Sequence, residues 1–427
     1  YITLASGALV LALVFGVCMH SMSAIWGTLN LPSIFTSGFW YGASEEGNSG
    51  INWSTIFFIA GMMIMVEGLG KAGFFRWLCL TLAKLVRYRI VPLLVCFMVL
   101  SAVLSMFIDS ITVVLFLATV TLELAQTMKF NPIPMILSEV FCANLGGAAT
   151  MCGDPPNIIV GTSLGYTFFD FISNTGVAVA ICFVLVLIYF VLCFRKRLLR
   201  DEKNSGAAVC PQPGTAITNR PAFLLSAGVF LLAVILLATH AQTKLTVASI
   251  GVIVAALSLV VIGCTSGGKA VLEIIKGVDY KTLLFFIGLF VSVAGLKETG
   301  VLDVIARFIT TVSGGNAAII VVIILWISAV TSAFVDNIPF AATMIPVVRS
   351  IAAASGIDMG VLAWALSLGT DLGGNATPIG ASANVVGTSV AAKGGYPISW
   401  GVYCKYCVGA TVLVIAVSMG YLFLRYL

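Results

Sequence analysis

Apolar runs, many of about 18 residues or more, follow one another along the whole chain with short polar breaks between them. One or two such runs would fit a signal peptide or an anchor; roughly ten predict a polytopic, all-α membrane protein. Two breaks are unlike ordinary loops. GGAATMCGDPPNIIVG, residues 146–161, sets four glycines, two prolines and an aspartate between apolar stretches, and DLGGNATPIGASAN, residues 371–384, does the same with its own Pro378. Glycine resists ordering and proline removes a backbone donor, so neither segment runs as a regular helix. In hydrocarbon, irregular backbone survives only where it lines a cavity or is buried in protein. The two breaks therefore predict interrupted transmembrane helices, with N–H ends suited to anions and C=O ends to cations.

The pattern is also internally duplicated. A shift of 227 carries FIDSI (107–111) onto FVDNI (334–338), Leu145-Gly146-Gly147 onto Leu372-Gly373-Gly374, Thr150 onto Thr377, Gly153 onto Gly380 and Asn157 onto Asn384. Upstream it carries Thr55, Phe58, Gly61, Gly68 and Leu69 onto Thr282, Phe285, Gly288, Gly295 and Leu296, with no gap from about residue 51 to 157. Unrelated apolar stretches match in Leu and Val, not in Asp, Asn, Thr and Gly.

Charge gives the two copies opposite orientations. After its first matched helix the first copy carries Lys71, Arg76, Lys84, Arg87 and Arg89 with no acid, whereas the second has Lys297 and Arg307 balanced by Glu298 and Asp303. The positive-inside rule puts 71–89 and the basic linker opening at Arg195 in the cytoplasm, and 298–316 and the Glu45-Glu46 loop outside. Inverted repeats with broken helices are a hallmark of secondary transporters. The expected plan is an N-terminal helix and outer loop (1–50), then a first repeat (51–194) with a scaffold helix, an inward hairpin tipped by SMFIDSITV and an interrupted helix. A cytoplasmic linker (195–221) and scaffold helices (222–277) follow. A second, inverted repeat with an outward hairpin, an interrupted helix and a last helix closes the chain (278–427). Two apolar runs precede the second copy and one the first, and the chain opens at Tyr1, so a further helix is expected ahead of residue 1.

Composition narrows the class. Hydrophobic residues make up 60% and charged residues 9%, against about 25% charged in a soluble protein; mean hydropathy is +1.11. The net charge of +5 reflects Lys and Arg at the ends of apolar runs, not a nucleic-acid surface. The eleven cysteines are mostly single, and Cys404-Lys-Tyr-Cys407 has neither a second pair nor histidines beside it, which argues against a metal or redox site. His20 and His240 fall near run ends.

Against this background four acids stand out. Asp109 and Asp336 sit at the two hairpin tips, Asp154 and Asp371 in the two breaks. An aspartate at the centre of a membrane helix costs about 2.5–3.5 kcal/mol, so it is read as functional unless it caps a helix. The expected Na⁺ ligands are Asp109, Ser110, Asn144, Asp336, Asn337 and Asp371, hard oxygens in all cases. Gly147, Thr150, Asp154, Asn157, Gly374, Asn375, Thr377 and Asn384 complete the expected cation or substrate site. Glu67, Glu123 and Glu139 are further candidates for carrying a proton; their counterparts are Ala294, Ser350 and Leu366.

At these residues a specific resemblance emerges. NLGGAATMCGDPPNIIVG (144–161), SAFVDNIPFAATMIPVV (332–348) and LGGNATPIGASANVVG (372–387) resemble the ion transporter superfamily. The branch is that of NhaD-type sodium/proton antiporters, arsenite permeases and the melanosomal P protein, often described as citrate transporter-like. The resemblance implies an elevator-type carrier, commonly a homodimer, with a scaffold and a transport domain of two re-entrant hairpins and two interrupted helices. Related sodium-coupled dicarboxylate carriers have Ser-Asn-Thr at each tip. Here Asp109-Ser110-Ile111 and Asp336-Asn337-Ile338 stand instead, and two anionic tips speak against a di- or tricarboxylate.

The function expected is Na⁺/H⁺ antiport by a multi-pass protein of a prokaryotic plasma membrane, with no cofactor beyond a coupling Na⁺ or H⁺. Its partners are the lipid bilayer, a small ion or molecule and a second copy of the chain, with no nucleic acid. The alternative is cation-coupled transport of a small anion or neutral oxyacid such as arsenite, silicate or a citrate-like carboxylate. A channel fits inverted broken repeats less well. No catalytic residue is assigned, because there is no Ser/His/Asp set or His cluster at membrane depth and Gly153-Asp154 alone is weak evidence for a protease.

Overall fold

A computed structural model describes residues 2–42, 50–204 and 211–427. Glu45 and Glu46 lie outside the described residues. Regular structure is helical throughout, apart from one isolated bridge between Tyr41 and Leu245. Eight of the described helices are long and apolar enough to cross a membrane, from Trp53–Lys71 to Trp400–Tyr426. Four apolar helices are shorter: Ile2–Cys18, Ile90–Ser105, Ile133–Gly147 and Ala317–Ser332. Two of these are hairpin arms, and Ile133–Gly147 is half of an interrupted helix.

Helix boundaries repeat as residue identities do. The shift of 227 superimposes Trp53–Lys71 on Tyr280–Glu298, Phe74–Leu85 on Val301–Val312, Ile90–Ser105 on Ala317–Ser332 and Ser110–Met128 on Asn337–Ser355. Local causes repeat too. The Asn52 side chain accepts from Thr55 N–H, and its counterpart Asp279 accepts from Lys281 and Thr282 N–H, capping the same helix start. Each long helix then turns through a left-handed glycine, Gly73 or Gly300, into a short amphipathic helix.

The matched helices run in opposite directions. At one end Lys71 pairs with Glu273 at 3.2 Å, Gly277 lies against Glu67, and Tyr88 Oη donates to Pro211 O at 2.6 Å. The other ends of the same two helices, Asn52–Ser54 and Lys297–Glu298, border one cavity with Thr162, Lys244 and Arg349. The basic segment 71–89 is thus at the opposite end of the molecule from residues 297–303.

Two packing units result. In the first, Trp53–Lys71 packs on Val247–Ser266, and Tyr280–Glu298 on Ile2–Leu9. Both crossings are closed by glycines, since a Cβ on Gly61 would stand 2.2 Å from Gly251 O and one on Gly288 2.4 Å from Thr3 O. Thr3-Leu4-Ala5-Ser6 reappears as Thr246-Val247-Ala248-Ser249 at these crossings, extending the duplication beyond the part read from the sequence. In the second unit the halves interlock. Ser110–Met128 packs on Ser382–Lys393 of the second half, and Asn337–Ser355 on Pro155–Leu164 of the first.

Gly61→Leu and Gly288→Leu are therefore expected to cost roughly 1–3 kcal/mol or more through overpacking, read as a lower melting temperature in detergent. Gly228→Leu, on an exposed face with nothing within 4 Å, is the neutral control.

Candidate functional site

Each break is stitched by its own threonine and asparagine. Asn157 Nδ2 donates to Gly147 O and Thr150 O, both at 3.1 Å, and Asn384 Nδ2 donates to Gly374 O and Thr377 O, both at 2.8 Å. Thr150 Oγ1 donates to Met106 O in the first hairpin tip, and Thr377 Oγ1 to Ala333 O in the second. The carbonyls that glycine and proline release from helical bonding are thus satisfied by side chains, and each break is tied to a hairpin tip.

Links between the halves build the centre. Asp154 accepts from Ser110 Oγ at 2.8 Å and from Asn337 Nδ2 at 2.9 Å, so one carboxylate joins both hairpin tips to the first break. Asn144 Nδ2 donates to Asn375 Oδ1 at 2.9 Å and Asn384 Oδ1 at 2.8 Å. Asn157 Oδ1 accepts from Ser367 Oγ. Asp371 is fully buried, with the Asn157 and Asn337 amides beside it but neither at full hydrogen-bond geometry. Asn144 Oδ1 and Asn375 Nδ2 are likewise buried without partners.

The tip acids are placed differently. Asp109 is half-buried and caps its helix through Ile111 N–H at 3.1 Å, Thr112 N–H at 3.2 Å and Thr112 Oγ1 at 2.8 Å. Asp336, also half-buried, accepts from Ile338 N–H at 3.1 Å and Ser382 Oγ at 2.8 Å. Capping engages both carboxylates, while Asp154 makes no cap bond and faces inward. Asp154 stays within electrostatic reach of both tip acids, and Asp371 of Asp154.

All fourteen expected residues fall in this one unit, divided between an inner set and a framing set. Asp154, Asp371, Asn144, Asn375, Ser110 and Asn337 meet at the centre. Asp109, Asp336, Gly147, Gly374, Thr150, Thr377, Asn157 and Asn384 frame it. Ser367 and Ser382 were not anticipated; Ser367 lies one helical turn before Asp371, a spacing that marks a shared face. Of the glutamates, Glu123 pairs with Arg76 at 2.6 Å, Glu67 is half-buried, and Glu139 is fully buried. Cys407 is buried and Cys404 partly so, and among the described residues no three His, Cys, Asp or Glu side chains gather as metal ligands would.

Two features set the electrostatics. The buried charged residues described are Glu139, Asp154 and Asp371, three acids and no base. The cavity at the far end, about 980 Å³, is lined by Met151 of the first break but by neither hairpin tip.

An all-helical membrane bundle with stitched breaks around a buried, oxygen-rich centre has the build of a polytopic membrane transporter. The citrate transporter family, CitMHS, matches residues 2–369, and the chain belongs to that family. An uncharacterized transporter of Mycobacterium tuberculosis is 34% identical over 410 residues, which cover 96% of this chain and 93% of that one. The human P protein is 28% identical over 450 residues, 88% of this chain and 53% of the P protein. This agrees with the resemblance to the ion transporter superfamily. Among solved structures, the YdaH transporter of Alcanivorax borkumensis shares the fold with a TM-score of 0.61 at 13% identity, over 86% of this chain and 84% of that one.

Asn384→Leu removes the donor to two buried carbonyls and an acceptor of Asn144 at once. The expected loss is roughly 2–5 kcal/mol, seen as a collapse in monodisperse yield and a lower melting temperature.

Proposed function

We propose that the protein exchanges a small monovalent cation, Na⁺ first among candidates, for H⁺ across a prokaryotic plasma membrane. The hairpins and interrupted helices move as one elevator block against the scaffold, in a homodimer. One observation carries this reading: Asp154 and Asp371 are buried together among neutral serine and asparagine side chains, with no buried base. A buried carboxylate without a counter-ion costs several kcal/mol, so the centre calls for a proton or a cation. Asp371, Asp154 and Asn144 Oδ1 offer the hard oxygens that suit Na⁺. Alternate binding of Na⁺ and H⁺ is assigned to this inner pair rather than to Asp109 and Asp336, because the tip acids are engaged in capping.

A second reading has its own support. Asn375 Nδ2 is a buried donor without an acceptor, and the family is described as citrate transporters. In it, cations at Asp154 and Asp371 would offset the charge of a small carboxylate or oxyanion held by Asn375. Radiolabelled citrate and arsenite uptake at fixed Na⁺ separates the two readings.

In everted vesicles, Na⁺ is expected to dissipate an imposed pH gradient. Asp371→Asn is expected to weaken this at least tenfold, about 1.4 kcal/mol, while remaining folded, since an asparagine, Asn144, stands at the matching position and donates hydrogen bonds there. Na⁺ at about 100 times its Kd is expected to stabilise the wild type by about 2.7 kcal/mol and the variant far less. An Asp371→Asn protein that responds to Na⁺ as the wild type does would sink the assignment.

A further inference from the structure

Glu139 lies in the helix Ile133–Gly147, five residues before Asn144 and so about 7.5 Å from it along the axis. Its helix begins at the end of the molecule that carries the basic linker, where Asn131 N–H donates to Asp201 at 3.2 Å. The side chain is fully buried. Oε1 accepts from Thr121 Oγ1 at 2.5 Å, and Oε2 has no partner. Around it, Ser101 of the neighbouring hairpin arm donates to its backbone carbonyl at 2.6 Å. The titratable groups that face it are two thiols, Cys79 on Phe74–Leu85 and Cys142 on its own helix, and no lysine, arginine or histidine acts on it.

The other half of the protein shows what the fold needs at this place. The counterparts of Glu139 and Thr121 under the shift of 227 are Leu366 and Val348, both fully buried. The same frame therefore closes over hydrocarbon there, and hydrocarbon in place of a buried polar pair is often neutral or stabilising. An acid kept with one oxygen unpartnered and no counter-ion is not a packing requirement. With no basic side chain acting on it, a bare carboxylate there carries an uncompensated burial cost that a proton relieves.

We infer that Glu139 is a proton-carrying site of the transport block, separate from the Asp154–Asp371 pocket and lying between it and the basic face. This rests on the transporter reading above and deepens it by naming a second residue that takes H⁺, beside the inner pair. When the block exposes this side, the O–H of Glu139 passes its proton to water and leaves a carboxylate. The reverse transfer must precede burial.

The test uses the whole protein in liposomes with radiolabelled Na⁺, following Na⁺/Na⁺ exchange without a pH gradient and Na⁺ accumulation driven by one. Two variants are compared: Glu139→Gln, and Glu139→Leu with Thr121→Val, which installs the pair of the second half and is expected to melt no lower than the wild type. Both should keep exchange and lose gradient-driven accumulation at least tenfold, and the infrared carboxyl band of Glu139 should vanish in each. Undiminished gradient-driven accumulation would overturn the inference. So would loss of exchange in a folded variant, because the site would then not be separate from the pocket. If the wild type moves no Na⁺, the cation reading fails instead. The infrared band still decides the matter then, since a Glu139 carboxyl that stays unchanged between about pH 5 and 9 carries no proton in turnover.

Discussion

Backbone carbonyls released in a buried interior must find donors, and the rest of this structure depends on how they do. Asn157 and Asn384 each hold two of them, and Thr150 and Thr377 each reach into a hairpin tip. An unsatisfied carbonyl at this depth costs several kcal/mol, so a tip cannot leave its break without that penalty. The interlocked second halves, with Ser110–Met128 on Ser382–Lys393 and Asn337–Ser355 on Pro155–Leu164, bind the two repeats in the same way. Moving the block as one body keeps every one of these bonds. Opening one hairpin alone breaks several, which is why the proposed cycle moves the unit whole.

The frame is duplicated but the acids at its heart are not. Asn144 on one side faces Asp371 on the other, Asp154 corresponds to Ala381, and Glu139 to Leu366. In each pair the neutral member shows that the position folds without a charge. Stability would favour the neutral residue on both sides, because each buried acid adds a desolvation cost and Glu139 leaves an oxygen unpartnered. The carboxylates are thus departures from symmetry that the fold does not ask for, and they are where chemistry is to be sought.

The sequence disclosed the frame more fully than the centre. Helix limits were readable because residue identity and boundary repeat at one spacing, and the two breaks because glycine and proline announce themselves in hydrocarbon. The pairing of Thr3–Ser6 with Thr246–Ser249 was hidden, because it falls at another spacing in segments that otherwise match only in apolar type. Side-chain direction was less readable. A charge at a hairpin tip looks functional from the sequence, yet backbone N–H groups at a helix start take up Asp109 and Asp336, while the extended backbone at Asp154 turns its carboxylate inward. Glu123 and Glu139 look alike as lone acids in apolar runs. Only packing shows that one meets Arg76 at a partly exposed edge and the other meets Thr121 in the interior.

Desolvation by itself supplies coupling under the proposed exchange. Two adjacent carboxylates in a closed pocket repel each other and lack a base to offset them. A block carrying both bare would have to drag uncompensated charge through the middle of the membrane, at several kcal/mol for each ion. Loaded with Na⁺ or with protons, the same pocket is close to neutral and that barrier falls. Uncoupled return of the empty block is then slow for the reason that binding is favourable, and exchange needs no separate gate to enforce it. The framing residues bear on this by holding the breaks and tips together, and Asp109 and Asp336 add to the negative field at Asp154. Loosening them would hydrate the carboxylates, lower the cost of the empty crossing and turn an exchanger into a leak.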